Sequence, residues 1–255
     1  MKEFFESNDW FGRSGPFAYN TEYIIFIVLA IALAFVLPIL LRKKESKAIK
    51  TALIILWAIA VVLDITKYTY NWVSHSLNGT ATVDNLAFPF WTCSMYLYIM
   101  PIALFCKNEK VSRACSAFIC TISFFAGIVN FAIPAEESLF SFPGLHKIVY
   151  HYILMLTPAV MLGTGYFKLK LKDILGVMIV FIICAVPVYI FNAVFKQDYM
   201  YTYNGSWLPF DVSVVSTIKP LYTLLSIAGY ALLTLLFIGI DIGIRKLAQK
   251  KHKKA

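Results

Sequence analysis

Residues 23–44 read YIIFIVLAIALAFVLPILLRKK. From Tyr23 to Leu41 there is no charge, and the run then stops at Arg42-Lys43-Lys44. About 20 apolar residues in a helix cross the hydrocarbon core of a bilayer. A charge-free run of that length ending in a basic cluster reads as a transmembrane helix whose cytoplasmic end is marked. It follows a mixed-charge stretch holding Lys2, Glu3, Glu6, Asp9 and Arg13, without a basic leader or a small-residue cleavage site, so it is not read as a signal peptide.

The same pattern recurs along the chain. Further apolar runs cover about 51–70, 86–105, 114–133, 144–167, 174–195 and 218–244. The 255 residues are 60% hydrophobic and 15% charged, a composition that a soluble core does not require. The expected fold is all-α, a polytopic transmembrane bundle of about seven helices forming one integral membrane domain over residues 1–255.

Charge gives an orientation. The net charge of +9 does not indicate nucleic acid, because the basic residues sit in short clusters between apolar runs. The clusters after the first, third, fifth and seventh runs hold 17 of the 23 Lys and Arg residues, as five, three, three and six. Basic residues are retained in the cytoplasm. The N-terminus is therefore expected outside and the C-terminus inside, with the Lys-rich tail as an anchor and the cell membrane as the location. Alternation of sides requires an odd number of helices, which agrees with seven.

The five cysteines form no secreted disulfide framework, and no pair has metal-ligand spacing. No cofactor is expected. The outer loops are longer and more aromatic than the inner ones. They contain Trp72, His75 and Asp84, then Glu136 and Glu137, then Asp198-Tyr199-Met200-Tyr201 and Trp207-Leu208-Pro209-Phe210. Trp and Tyr favour the headgroup level, so these loops are read as lying on the bilayer and capping a cavity. Asn78-Gly79-Thr80 and Asn204-Gly205-Ser206 match the glycosylation sequon, a pattern that also arises by chance.

An ionisable residue inside a membrane helix is costly and is a functional candidate by default. Counted from the outer ends of their helices, Cys93, His151 and Asp64 share one depth, roughly 10 Å below the surface at 1.5 Å per residue. Asn130 and Asn192 lie shallower on the same side. Pro101, Pro158 and Pro187 stand just inward of this layer, where bends would splay the outer ends, although prolines are also common in membrane helices.

Each candidate has a rival explanation. Membrane cysteines are usually small hydrophobes, which is the reading for Cys106, Cys115, Cys120 and Cys184. Cys93 stands apart through its depth and its neighbours Thr92 and Ser94; a nearby imidazole would make it a thiolate. His151 either supplies that base or makes a structural helix–helix bond. His146 is read as interfacial or as a second member of the site. Asp64 either orients His151, as a triad carboxylate does, or pairs with Lys67 on its own helix. Asn130 and Asn192 either donate to an oxyanion or bridge helices. His75 and His252 are read as loop and tail residues.

Three motifs together carry a resemblance: Pro-Phe-Trp-Thr-Cys at 89–93, Phe142-Pro143-Gly144-Leu145 leading to His151, and Asn192 followed by Asp198-Tyr199-Met200. In these the chain resembles the YwaF-like bacterial integral membrane proteins. That group is related to the animal transmembrane protein 164, a cysteine-dependent acyltransferase of ether phospholipids, and more distantly to the androgen-induced-gene lipid hydrolases. The group often has a histidine two residues before the cysteine, where this chain has Trp91, and an Asn where it has Asp198. The resemblance implies a cysteine nucleophile at Cys93 with His151 beside it.

The expected function is lipid acyl transfer or acyl-ester hydrolysis by a Cys93–His151 dyad, with Asp64 orienting. The substrate is a phospholipid or lysophospholipid reaching the site from the outer leaflet. Trp91, Ser94, Asn130, His146, Asn192 and Tyr199 would line the site, and Lys147 would meet the headgroup. The alternative is a small-molecule or lipid binding or transport protein without chemistry. A third reading makes the polar residues only the glue between helices.

Overall fold

The computed structural model describes residues 21–83, 86–132, 138–203 and 217–252. Asp84, Glu136, Glu137, the sequon at Asn204 and the Trp207–Phe210 stretch lie outside them. Every regular element among the described residues is helical. In chain order these are α1 (Thr21–Leu41), α2 (Ser46–Leu77), α3 (Met95–Phe105), α4 (Glu109–Phe118), a π turn (Ile119–Ser123), α5 (Phe124–Ala132), α6 (Phe142–Gly163), α7 (Asp173–Phe195), a 3₁₀ turn (Tyr199–Tyr201) and α8 (Lys219–His252).

Among the described residues, six helical stretches are long and apolar enough to cross a bilayer: Thr21–Leu41, Ser46–Leu77, Glu109–Asn130, Phe142–Gly163, Asp173–Phe195 and Lys219–Lys250. The protein is thus an all-α polytopic bundle. Pro101, Pro158 and Pro187 lie inside α3, α6 and α7, which continue on both sides of them. Isoleucines, leucines and valines along α1, α2, α7 and α8 remain exposed, as expected where lipid is the solvent.

The third apolar run departs from expectation. It is helical only over the 11 residues of α3, about 16 Å at 1.5 Å per residue and about half of the hydrocarbon thickness. Pro89 keeps the residues just before it out of a helix. It has no N–H to give, and its ring pushes Phe88 away from helical backbone angles. The chain instead turns ahead of the helix, with Met95 N–H donating to the Trp91 carbonyl and Tyr96 N–H to the Cys93 carbonyl. Cys93 therefore stands in the turn before α3, not two turns inside a helix. The depth reckoned by helical rise does not apply to it.

The chain divides into two compact units. The first comprises the described parts of Met1–Pro89 and Phe124–Tyr166. Here α6 is the common partner of α1, α2 and α5. Ser141 caps its start by accepting from Gly144 N–H, and Pro143 occupies the first turn, where a missing N–H costs nothing. Two glycines permit the close packing. A Cβ on Gly127 of α5 would lie 3.0 Å from the His151 carbonyl oxygen, and a Cβ on Gly163 would lie 2.7 Å from Pro38 Cβ. Residues 86–89 are fastened to α2 by Trp72, whose indole N–H donates to Ala87 O at 2.8 Å and whose ring meets Phe88 at 5.8 Å.

The second unit comprises the described parts of Phe90–Ser123 and Phe167–Ala255. In it α4 packs on α3 and α7, and α8 packs on the π turn and α7. Asn108 caps α4 by accepting from the Lys110 and Val111 amides. The link before α7 is held by two arginines. Arg113 donates to both carboxylate oxygens of Asp173 and to Lys168 O, while Arg245 donates to Leu169 O. Lys196 ends α7 in the left-handed conformation at φ 59°, returning its N–H to Asn192 O.

Candidate functional site

The residues singled out from the sequence divide between the units. Asp64, Asn130, His146 and His151 belong to the first, and Trp91, Cys93, Ser94, Asn192 and Tyr199 to the second.

In the first unit α2 presents Asp64 and α6 presents His146, only 2% and 4% exposed. Asp64 Oδ1 and His146 Nε2 are 2.6 Å apart. The imidazole stacks on Tyr150 one turn along α6, with centroids 5.2 Å apart and planes 11° off parallel. This corrects the expected role of Asp64. Its carboxylate neither orients His151 nor pairs with Lys67, whose ammonium lies over the Tyr68 ring at 5.1 Å. A carboxylate desolvated between two helices must take a donor from the facing helix, and that donor is His146. His146 is accordingly a buried helix–helix partner rather than an interfacial residue.

His151 is 7% exposed and has a defined polarity. Its Nδ1 lies 2.6 Å from the Lys147 carbonyl oxygen. A carbonyl can only accept, so Nδ1 carries the proton and Nε2 of the neutral ring is left with its lone pair. Nε2 is buried without a hydrogen-bond partner among the described residues, as is Asp64 Oδ2. Tyr150 meets the His151 ring edge-on at 5.4 Å. Asn130 is half-buried, and its side-chain amide donates to Ala126 O at 3.1 Å within its own helix.

In the second unit Cys93 is half-buried between Thr92 and Ser94, which are buried. Trp91 lies against Tyr199 and Tyr201, with centroids at 4.9 and 5.7 Å, and Phe90 against Phe191 and Tyr199 at 5.0 and 5.8 Å. Thr92 Oγ1 and the Tyr230 hydroxyl are 2.9 Å apart, and Tyr230 donates to Met200 O at 3.1 Å. Tyr230 has one proton and gives it to Met200, so the Thr92 hydroxyl donates to Tyr230.

Asn192 clasps the loop that follows α7. It is fully buried; its Nδ2 donates to Tyr199 O at 2.8 Å, and its Oδ1 accepts from Tyr199 N–H at 3.0 Å. The side-chain amide is thus engaged by the backbone of the loop that follows its own helix. The clasp holds an uncommon conformation. Met200 and Tyr201 are consecutive non-glycine residues at φ 60° and 53°. Asp198 Oδ1 accepts from Tyr203 N–H, Tyr222 and Ser226 both donate to Tyr201 O at 3.0 Å, and Thr223 donates to Thr202 O at 3.0 Å. A row of α8 hydroxyls therefore fixes this loop beside the Cys93 turn.

Tyr201 is the member of this group that the sequence did not single out. Burial pushes its phenol above the ordinary tyrosine range, with the nearby Cys93 thiol and Asp198 carboxylate adding to the shift. It stays protonated and can only act as a neutral donor or acceptor near Cys93. The signal was present in Asp198-Tyr199-Met200-Tyr201, where alternate tyrosines read alike until the left-handed turn separates them. Among the described residues no three His, Cys, Asp or Glu side chains gather as metal ligands would.

The family model described as TMEM164 family matches residues 17–240, nearly the whole chain and every motif above. The chain belongs to the TMEM164 family. No curated protein and no solved structure matches it. Within this TMEM164 family member the matched span contains the first five membrane-crossing helical stretches and most of the sixth, the Asp64–His146 pair, His151, and the Cys93 turn with its tyrosine loop.

Proposed function

We propose that this TMEM164 family protein carries out acyl chemistry on lipid esters, with Cys93 as nucleophile and His151 as its base. The observation that supports this best is the state of His151. A general base needs a lone pair on a fixed nitrogen and a tautomer that does not wander. The Lys147 carbonyl fixes the Nδ1 proton, leaving Nε2 bare and without a hydrogen-bond partner among the described residues. In the proposed reaction the Cys93 thiol gives its proton to Nε2, and the sulfur bonds to the carbonyl carbon of a phospholipid ester. The lysolipid leaves with that proton, and the acyl-cysteine passes its chain to a lysophospholipid or to water. Lys147 would meet the headgroup. The cell membrane, with the N-terminus outside and the basic clusters in the cytoplasm, is the setting the charge distribution favours.

The test uses the full chain in vesicles of phosphatidylethanolamine and phosphatidylglycerol containing a phosphatidylcholine with a fluorescent acyl chain and a lysophosphatidylethanolamine acceptor. Wild type should release or transfer the labelled chain, and Cys93→Ala and His151→Ala should not. Equal turnover in all three removes the proposal. A second reading has one observation in its favour. Asp64 Oδ2 and His151 Nε2 are both buried acceptors that lack donors among the described residues, which a bound hydroxyl or ammonium group would satisfy. Binding without chemistry should survive Cys93→Ser, whereas acyl transfer should not.

A further inference from the structure

We propose that the Tyr201 hydroxyl is the hydrogen-bond donor that meets the oxyanion formed when Cys93 attacks an acyl ester. The inference rests on the acyl-transfer reading and adds a catalytic residue to it.

Geometry within the second unit carries it. Trp91 touches the Tyr201 ring at 5.7 Å, and Thr92 is joined through the Tyr230 hydroxyl to the carbonyl of Met200. Residues 91 and 92 thus contact residues 201 and 200, which seats the next residue, Cys93, beside the Tyr201 side chain. Other nearby polar side chains are already engaged. Thr92 is bonded to Tyr230, and the Asn192 amide is bonded to the backbone of Tyr199. The backbone carbonyl of Tyr201 accepts from Tyr222 and Ser226, yet its own hydroxyl has no hydrogen-bond partner among the described residues.

The backbone supports the assignment. Two adjacent non-glycine residues in the left-handed region are costly and persist only where their surroundings over-determine them, and such strain collects at functional sites. Here Asn192, Tyr222, Thr223, Ser226 and Tyr230 all serve to hold that turn. Its consequence is to separate Tyr201 from Tyr199 and bring both against Trp91. The phenol, kept protonated by burial, is a fixed neutral donor of the type that stabilises developing charge without reorganisation.

The chemistry balances. As the sulfur–carbon bond forms, the carbonyl π pair moves to oxygen and Tyr201 O–H donates to it. When the pair returns, the ester oxygen leaves, carrying the proton that came from the thiol. Tyr201 itself exchanges no proton.

The full-length protein in phosphatidylethanolamine–phosphatidylglycerol vesicles is treated with p-nitrophenyl octanoate. The p-nitrophenolate burst and the octanoyl adduct on Cys93, read by mass, are followed for wild type, Tyr201→Phe and Cys93→Ala. Alkylation of Cys93 by a small maleimide is timed in parallel. Phenylalanine keeps the ring against Trp91 and the backbone bonds of residue 201. The expected result is an acylation rate about 10²-fold lower in Tyr201→Phe, with the maleimide rate unchanged. An acylation rate within twofold of wild type overturns the inference while leaving the Cys93 reading in place. Parallel loss of maleimide reactivity also overturns it, since the hydroxyl would then act on the thiol. Acylation that does not depend on Cys93 overturns the underlying reading and this inference with it.

Discussion

Asp64 and His146 meet at 2.6 Å and join the middle of α2 to the first turns of α6, both almost wholly buried. The contact is the polar fastening of the first unit. It lies five residues ahead of His151 on the same helix, so the helix that offers a bare Nε2 is anchored just before it. We expect each partner to be costly to remove alone. Asp64→Ala leaves a buried imidazole without its acceptor, and His146→Ala leaves a buried carboxylate, each on the order of 1–3 kcal/mol. The double variant should cost clearly less than the two added, with a coupling of about 1 kcal/mol, typical of membrane helix pairs. Thermal unfolding of the four proteins in one detergent closes the cycle. Additive losses would mean that the two side chains do not interact.

Glycines mark where α6 is approached most closely. Gly163→Ala must displace Pro38 of α1, whose Cβ would lie 2.7 Å from the new methyl. Gly127→Ala meets backbone, the His151 carbonyl at 3.0 Å, and side-chain atoms of Leu154 and Met155 at 3.1 Å. Gly239 in α8 has nothing within 4 Å. The expected order of melting temperatures is Gly239→Ala at or above wild type, by up to about 1 kcal/mol of helix propensity, with both other variants below it. A Gly127→Ala protein as stable as Gly239→Ala would contradict the close α5–α6 packing.

The clasp on the tyrosine loop predicts a local effect rather than a global one. Asn192→Ala removes the acceptor of Tyr199 N–H and the donor to Tyr199 O together, leaving two buried backbone groups unpaired at roughly 1–3 kcal/mol. Hydrogen exchange over residues 198–203 should accelerate by at least tenfold, while amides in the middle of α6 keep their protection. Unchanged exchange at 198–203 would show that the α8 hydroxyls alone hold the turn.

The membrane architecture is legible because lipid as solvent demands long apolar runs, and all six crossing helices found among the described residues begin within about five residues of the expected positions. The third run misleads because hydropathy does not register backbone freedom. Residues 86–94 are largely apolar, but Pro89 bars a helix just before it and residues 91–94 form turns instead. Asp64 stands out as costly, yet its partner does not, since choosing between His146 and His151, five residues apart and about 140° around the helix, depends on the rotation of α6. Asn192 was also recognised, but its role depends on a loop whose left-handed residues, Met200 and Tyr201, are not glycines and so announce nothing in the sequence. Tyr201 is silent in the sequence for the same reason.

The arginine fork at the base of α7 offers a prediction in which a change that keeps the charge is not conservative. Arg113 donates through Nε and Nη2 to the two oxygens of Asp173, and Nη2 also reaches Lys168 O. Asp173 further accepts from Lys170 N–H, so the carboxylate gathers the link before α7 as well as the guanidinium. Lysine brings one charged point in place of a planar fork and cannot serve two carboxylate oxygens and a carbonyl at once. Arg113→Lys should therefore lose most of what Arg113→Ala loses, on the order of 1–3 kcal/mol for hydrogen bonds to a charged group. Cleavage within residues 164–172 by a protease added to the basic side should rise in both variants. If Arg113→Lys melts with wild type while Arg113→Ala does not, charge alone holds this corner and the fork geometry is dispensable.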